Sequence, residues 1–442
     1  MSAPASHPLL RRARAAQPAI AAMPLDERLD RIALSRAALE AVGERLVDAA
    51  VRDAGIPRRF ARREVTSALM LLDALPEFAN AIRPRIVPSV SGTTTLEWMP
   101  YGVVFGWHSA NSPVWVPTVV AASALVGGNS VASRPSQRAR GATLQVIEAL
   151  AGAWPDDAIV AVDLPGPEAE ALLVDPEVDV VVAHASTTTC KRHLSRIGAA
   201  YADGLGLRRY IPEASGNDAL IVLEGADLGV AAEAAALGGF ANAGQLCMSA
   251  KRIIVQASIA DRFIANLVEA TDRLVVGDPD DEATDIGRLL PGGAAQHARD
   301  ALDAALAAGG VLLTGGDAGG DAMPPTLVEL PSAGRAGLAL WSEEVFAPVR
   351  GVVRCTSVDE AVALANDSPF GLGAAVFGGT SEARRRCATG LRAARVLFDE
   401  GPMYQDPHLV VGGIDDSGLT GAQPKIEQLV WARRVHRAAT CE

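Results

Sequence analysis

Lysine is almost missing from this chain: Lys191, Lys251 and Lys425 are the only three among 40 basic residues, and the rest are arginine. An arginine where a lysine is expected therefore carries little functional weight by itself. The 52 acidic residues leave a net charge of −12, with no contiguous basic stripe. That excludes nucleic acid as a main partner, which needs concentrated positive charge. Aromatic residues are scarce at 4%. No apolar run reaches the roughly 18 residues of a membrane span. The longest, Val114–Gly127, is interrupted by Pro117, Thr118 and Ser123, so no membrane partner is expected. The five cysteines (Cys190, Cys247, Cys355, Cys387, Cys441) are odd in number and far apart. They make a poor disulfide framework and fit a reducing compartment. The first 25 residues contain Arg11, Arg12 and Arg14 and no acid, yet no apolar segment follows them. Pro24-Leu25-Asp26-Glu27 then reads as a helix start, so the expectation is a cytoplasmic protein without a targeting segment.

What is present is core-forming material. Apolar residues make up 49% of 442 positions and charged residues 21%, enough for two or three folded domains. Residues 25–83 repeat apolar positions at helical spacing (Leu29, Ile32, Leu34, Leu39, Val42, Leu46), and a second helix starts near Phe60. Gly92–Trp98 alternates strand formers, the pattern of an exposed or edge-pairing strand. From residue 101 the rhythm becomes strand and helix in turn. Strands are expected at 102–107, 130–132, 159–162 and 178–183, with helices at 114–126, 141–151, 168–173 and 190–201. The strand at 178–183 is apolar apart from Asp179, which implies a parallel sheet covered on both faces. The rhythm resumes with strands at 219–223, 252–255, 351–354 and 373–377 and helices at 229–240, 259–274 and 358–366. The glycine-rich stretch at 308–320 reads as a surface connection. The fold class is α/β: a doubly wound parallel-sheet domain, a second α/β domain divided from it near residue 217, and an N-terminal helical cap. No repeat of fixed period occurs.

The GxGxxG dinucleotide fingerprint is absent. A strand running into Ala185-Ser186-Thr187-Thr188 still places backbone N–H groups at a helix start, which suits an anion. A simple N-cap explains the same residues. The most informative stretch is Phe240-Ala241-Asn242-Ala243-Gly244-Gln245-Leu246-Cys247, followed by Lys251 and Arg252. Cys247 reads either as a small buried apolar group or as an exposed, activated thiol. His184, Cys190 and His193 lie within ten residues, but structural zinc takes four ligands and no fourth is apparent, so no metal is expected. Taken singly, Asn111 is a turn residue before Ser-Pro, Glu213 a loop acid after Pro212, and Glu344 a surface acid.

Together these segments resemble the aldehyde dehydrogenase superfamily over roughly residues 25–436. The stretch 240–247 fits Phe-x-Asn-x-Gly-Gln-x-Cys around that family's nucleophile. Asn111-Ser112-Pro113 resembles its Pro-Trp-Asn-Phe-Pro loop, and Arg134-Pro135-Ser136-Gln137 its Lys-Pro-Ser-Glu. Glu213-Ala214-Ser215-Gly216 stands at Glu-Leu-Gly-Gly, 34 residues before Cys247. Glu343-Glu344-Val345-Phe346-Ala347-Pro348-Val349 is similar to Glu-Glu-x-Phe-Gly-Pro-Val, and Asn366…Phe370-Gly371-Leu372 to Asn…Tyr-Gly-Leu. The motifs occur in family order.

The resemblance implies NAD- or NADP-dependent oxidation of a small-molecule aldehyde to the acid. Cys247 would add to the carbonyl, Asn111 and the Cys247 N–H would receive the oxyanion, and Glu213 would activate the water that hydrolyses the thioester. Glu344 and Phe346 would hold the nicotinamide ribose and ring, with Arg134, Ser136, Gln137 and Ser186 on the rest of the cofactor. Ser112, Trp115, Leu246 and Met248 would line the substrate pocket. Implied domains are 1–84 with 100–217 for the cofactor and 218–403 for catalysis. Strand 85–99 with tail 404–442 would form an oligomerisation element whose strands pair across subunits, giving a homodimer or homotetramer.

The sequence also departs from the pattern. Arg134 and Gln137 replace a lysine and an acid, which leaves NAD against NADP open. Ala183-His184-Ala185-Ser186 replaces Phe-Thr-Gly-Ser, Ala110 and Ser112 replace bulky aromatics, and the late Pro-Phe-Gly-Gly-x-Lys-x-Ser-Gly motif survives only as 411–418. Two other functions fit the scaffold. A CoA-acylating enzyme would lack the base that Glu213 supplies, and a non-catalytic binding or assembly descendant would not need Cys247, Asn111, Glu213 and Glu344 together.

Overall fold

The computed structural model describes residues 6–316 and 323–438. The chain divides into two units: Met1–Val47, Glu64–Pro212 and Gln423–Glu442 form the first, and Asp48–Arg63 with Glu213–Ala422 the second.

In the first unit, strands Ile159–Ala161, Ser130–Arg134, Val103–Trp107, Val180–His184 and Arg209–Glu213 lie side by side in that order. The pairings among the first four are parallel. Every residue of Val103–Trp107 and Ser130–Arg134 is buried, as expected for strands covered on both faces by crossover helices. Those helices are Trp115–Val126, Arg140–Ala151, Gly166–Leu172 and Thr187–Ala202. The chain builds outward from Val103–Trp107 through two strands, then returns to its other side with Val180–His184. The strand order reverses there, and open α/β sheets bind ligands at the carboxyl ends of the strands flanking such a reversal.

The N-terminal cap contains one helix that the sequence reading missed, Pro8–Ala22, ahead of Leu25–Ala41, Gly43–Ala54 and Arg58–Phe78. Pro8 sits in its first turn, His7 caps it, and Leu10, Ala13 and Ile20 are buried. Two of the three early arginines serve this packing: Arg12 pairs with Asp157, and Arg14 with Glu177 and Asp179. Arg58–Ile82 is the one stretch among the described residues long and apolar enough to cross a membrane. Its Leu71, Leu72, Leu75 and Ala79 are buried in the protein.

Strands Arg85–Val87, Thr93–Pro100 and Val430–Arg437 form an antiparallel sheet with Thr93–Pro100 in the middle. That strand is thus central, not an edge. The tail pairs with it within the chain, Val430 opposite Pro100 through Arg437 opposite Thr93.

The second unit has a seven-stranded sheet in the order Val311–Thr314, Thr326–Glu329, Val349–Cys355, Ala250–Gln256, Asp218–Val222, Gly373–Phe377 and Arg395–Phe398. All pairings are parallel except that of the outermost Val311–Thr314. Residues 311–314 are therefore a strand where a connection was expected; positions 317–320 of that glycine-rich stretch lie outside the described residues. Along Asp218–Val222, Ala219 and Ile221 enter one core cluster while Leu220 and Val222 enter the other. The twofold alternation of a strand feeds two apolar faces, which is why the sequence shows no polar alternation.

Candidate active site

Cys247 lies between helix Leu228–Phe240 and strand Ala250–Gln256, on a loop with an unusual backbone. Asn242 (φ 52°), Ala243 (φ 55°) and Gly244 (φ 69°) are all left-handed. Left-handed non-glycine residues cost free energy and persist only where surrounding contacts enforce them. The enforcing group is Arg350, which is fully buried. Its Nε donates to Gly239 O at 2.7 Å, Nη1 to Ala347 O and Val349 O at 2.7 Å each, and Nη2 to Gly244 O at 3.1 Å. A Cβ on Gly244 would collide with Arg350 and the Ala347 carbonyl, so the position accepts only glycine.

Lys251 holds the next part of the loop. Its buried Nζ donates to Leu246 O and Cys247 O, both at 2.8 Å, and lies 3.5 Å from Glu344 Oε1. The same Glu344 oxygen accepts the Gly216 N–H at 3.0 Å. A Cβ on Gly216 would strike the Cys247 carbonyl oxygen, so the segment starting at Glu213 rests directly against the cysteine backbone. Glu213 ends strand Arg209–Glu213 and bridges to Gly418, and Ala214 N–H donates to Ser417 O at 2.9 Å. The structure brings Cys247, Glu213 and Glu344 into one neighbourhood, through Lys251, Gly216 and Arg350. Of these three, the sequence reading named Lys251, as a cation trailing the cysteine, and Gly216, as part of a motif, and passed over Arg350. Leu246 and Met248 pack with Phe60, Ala241 and Met403. Phe346 is half-buried just before strand Val349–Cys355.

The electrostatics of this loop are finely opposed. Burial and then the charge of Glu344 push the Cys247 thiol up to about 12, with Asp218 and Glu213 adding and Lys251 opposing. Burial also pushes Asp218 up to about 7, against the pull of Lys251 and Arg395. The resting thiol is protonated at neutral pH, and Lys251 is the cation placed to favour its ionisation.

In the first unit, Asn111 and Ser112 lie on the loop between strand Val103–Trp107 and helix Trp115–Val126, and Trp115 opens that helix. Ser112 was expected on a pocket wall; its hydroxyl donates at 2.8 Å to Glu64, a residue the sequence reading passed over. Nothing in the sequence set it apart, since it follows four arginines in a helix that also carries Asp73 and Glu77. Glu64 is buried, and burial pushes its carboxyl up to about 7.

The expected cofactor residues cluster at the carboxyl ends of the sheet. Arg134 is buried with its guanidinium 4.2 Å above the Trp107 ring, and its Nε and the Gln137 side chain both donate to Leu164 O. Gln137 also donates to Asp163 at 3.2 Å, and Asp163 pairs with Arg140. Ser136 caps the turn that follows it. Ser186 caps helix Thr187–Ala202 by accepting the Thr189 N–H at 3.3 Å. Trp107 meets His193 edge-on at 4.6 Å, which places His193 in a stacked column. His108 is buried, with Nε2 2.6 Å from Ser133 Oγ, and burial pushes it down to about 3. Among the described residues, no group of three or more His, Cys, Asp or Glu side chains is placed to hold a metal.

These residues fit a dinucleotide. The strand reversal offers the crevice, a capped helix start offers N–H groups to a pyrophosphate, and the Arg134 guanidinium stacked on Trp107 is a flat, pre-oriented cation.

Comparison with known proteins agrees. The model of the aldehyde dehydrogenase family matches residues 3–430. Vanillin dehydrogenase of Pseudomonas fluorescens is 31% identical over 428 residues, 95% of this chain and 87% of the relative. The NADP-dependent succinate-semialdehyde dehydrogenase of Mycobacterium leprae (strain TN) is 33% identical over 343 residues, 76% of this chain and 73% of the relative. The crystal structure of an NAD-dependent aldehyde dehydrogenase from Sinorhizobium meliloti superposes with a TM-score of 0.90 at 27% identity, covering 98% of this chain and 87% of that one. A buried cysteine loop held by cations, an acid motif against its backbone and a family match over nearly the whole chain converge: this chain belongs to the aldehyde dehydrogenase family, the NAD(P)-dependent oxidoreductases that turn aldehydes into acids.

Proposed function

We propose that Cys247 is the nucleophile and Glu213 the hydrolytic base of this oxidation, with Asn111 and the Cys247 N–H as oxyanion donors. The observation that carries the reading is the contact of the Glu213–Gly216 segment with the Cys247 backbone, fastened by Glu344 and Lys251. The sulfur adds to the aldehyde carbon, and the carbonyl oxygen becomes an oxyanion held by pre-placed donors, a contribution of about 3–4 kcal/mol per donor. When bound, NAD(P) supplies the acceptor for the hydride. Glu344 and Phe346 would hold its nicotinamide end, and Arg134, Ser136, Gln137 and Ser186 the remainder. A thioester is left on Cys247. Glu213 takes a proton from water, the hydroxide adds to the thioester, and the acid leaves as the thiol is restored.

The apolar flanks of Cys247, Leu246 and Met248 packed with Phe60 and Met403, favour an uncharged aromatic or aliphatic aldehyde. The three-stranded sheet serves as the oligomerisation element of a homodimer or homotetramer. Its two outer strands, Arg85–Val87 and Val430–Arg437, carry the exposed Ile86 and Trp431, and apolar sheet edges favour coverage.

The test is a rapid-mixing experiment on Glu213→Gln with vanillin or succinic semialdehyde and either dinucleotide. Expected is a burst of reduced nicotinamide equal to the enzyme sites, slow turnover afterwards, and an acyl adduct on the Cys247 peptide by mass spectrometry. Undiminished steady turnover, or an adduct on another residue, refutes the assignment. A higher kcat/KM for the aromatic aldehyde supports the substrate class, and a preference for the semialdehyde overturns it.

A further inference from the structure

We propose that Glu64 is a positioning residue whose single carboxylate oxygen fixes the loop from which Asn111 acts. The inference rests on the reading of Asn111 as an oxyanion donor.

Glu64 Oε1 accepts three hydrogen bonds, each 2.8 Å long, from Ser112 Oγ, Val114 N–H and Trp115 N–H. The donors bracket the loop one, three and four residues after Asn111. Val114 occupies the N-cap position of helix Trp115–Val126 and has no side-chain cap of its own. The first N–H groups of any helix lack partners within it. Here an acid from a different helix, 50 residues away in sequence from Val114, supplies the missing acceptor. The opposite polarity of the loop is held too: Thr143 Oγ1 donates to Pro113 O at 3.1 Å. Both groups of the Pro113–Val114 peptide unit, and the Ser112 side chain before it, are thereby fastened by side chains from two other helices.

The choice of an acid is costly and therefore informative. Glu64 is 5% exposed, and its second oxygen, Oε2, is buried without any hydrogen-bond partner. Burying a carboxylate oxygen without a partner is unfavourable. A glutamine would present the same acceptor with no charge to bury. What the charge adds is strength: bonds to an ionised acceptor are roughly twice as strong as neutral ones, and a negative group is favoured at a helix start. The clamp therefore trades stability for rigidity. Rigidity is what an oxyanion donor needs, because its hydrogen bond contributes only if it is aimed before charge develops.

The experiment is a double-mutant cycle on the hydride-transfer step, read as the rapid formation of reduced nicotinamide. It compares wild type, Glu64→Ala, Glu64→Gln, Asn111→Ala and the doubles that combine Asn111→Ala with each Glu64 change. Asn111→Ala is expected to slow the step roughly 100-fold or more. Glu64→Ala should slow it about 10- to 100-fold with little change in KM for the dinucleotide, and Glu64→Gln less, because Oε1 remains an acceptor. The decisive sign is non-additivity: each double should be no slower than Asn111→Ala, within about threefold. A merely structural Glu64 lowers the melting temperature without slowing the step per folded site, or its loss multiplies with that of Asn111→Ala; either result overturns the proposal. If Glu64→Ala does not fold, the cycle with Glu64→Gln decides. Wild-type rates in Asn111→Ala overturn the oxyanion reading and this inference together. A crippled Asn111→Ala beside a normal Glu64→Ala overturns this inference alone.

Discussion

The loop that carries Asn111 is held by an anion through its N–H groups, whereas the loop that carries Cys247 is held by two cations through its carbonyls. Glu64 takes the N–H groups of Val114 and Trp115. Arg350 takes the carbonyls of Gly239 and Gly244, and Lys251 those of Leu246 and Cys247. The difference follows from what each loop joins. The first runs from strand Val103–Trp107 into a helix, so it exposes the unpaired donors of a helix start. The second leaves helix Leu228–Phe240: the Gly239 carbonyl belongs to the last turn of that helix, and those of Gly244, Leu246 and Cys247 belong to the loop beyond it. The sign of each clamp matches the backbone groups it meets, donors at a helix start and acceptors at a helix end and in the loop that follows.

The largest break in this comparison should come from Arg350. Arg350→Met removes the donors to Gly239, Ala347, Val349 and Gly244 at once. It takes a charged donor from each of those buried carbonyls, although Ala347 O keeps the Val349 N–H and Gly239 O the Ser249 hydroxyl, and should cost about 3 kcal/mol or more, read as a lower denaturation midpoint. A variant as stable as wild type would mean that the left-handed run Asn242–Gly244 holds itself. Lys251→Met should act more narrowly. It removes the cation that opposes Glu344 at the thiol, so alkylation of Cys247 by iodoacetamide at pH 8 should slow several-fold. Equal or faster alkylation would remove Lys251 from the ionisation of the sulfur.

The smallest effect, and the one that sharpens the comparison, lies in pH. Burial raises the folded-state Glu64 carboxyl to about 7 from an ordinary value of 4.5. The folded protein therefore holds this proton more tightly than the unfolded chain does. The stabilisation is fully present below pH 4.5 and is lost as pH rises through 7. Glu64→Gln has no such proton, so its melting temperature relative to wild type should improve between pH 5 and pH 8. A difference that stays flat or worsens would show that the buried carboxylate is not strained by its charge.

Much of the fold was legible from residues alone. The apolar run at 180–182, in which every residue is buried, could belong only to a strand with both faces covered, and the alternation of strands and helices from residue 101 supplied the doubly wound order. The ordered motifs located Cys247, Glu213 and Glu344 without any geometry. The edge strand at 311–314 was missed because glycines flank it and its Val311 and Leu312 are exposed, which reads as a connection. The helix at 8–22 was missed because its arginines have no acid near them in sequence; their partners Asp157, Glu177 and Asp179 lie more than a hundred residues on.

The identity of the chemical groups is a property of the sequence, since a thiol, an amide and a carboxylate in family order need no coordinates to be recognised. Their support is not. Glu64 lies 48 residues from Ser112, Arg350 lies 106 from Gly244, and Thr93 meets Arg437 only when the tail returns to pair with it. A hydrogen bond depends on separations of about 3 Å in space and not on separation along the chain. Only the folded backbone could therefore decide which buried charge faces which unpaired end of a helix.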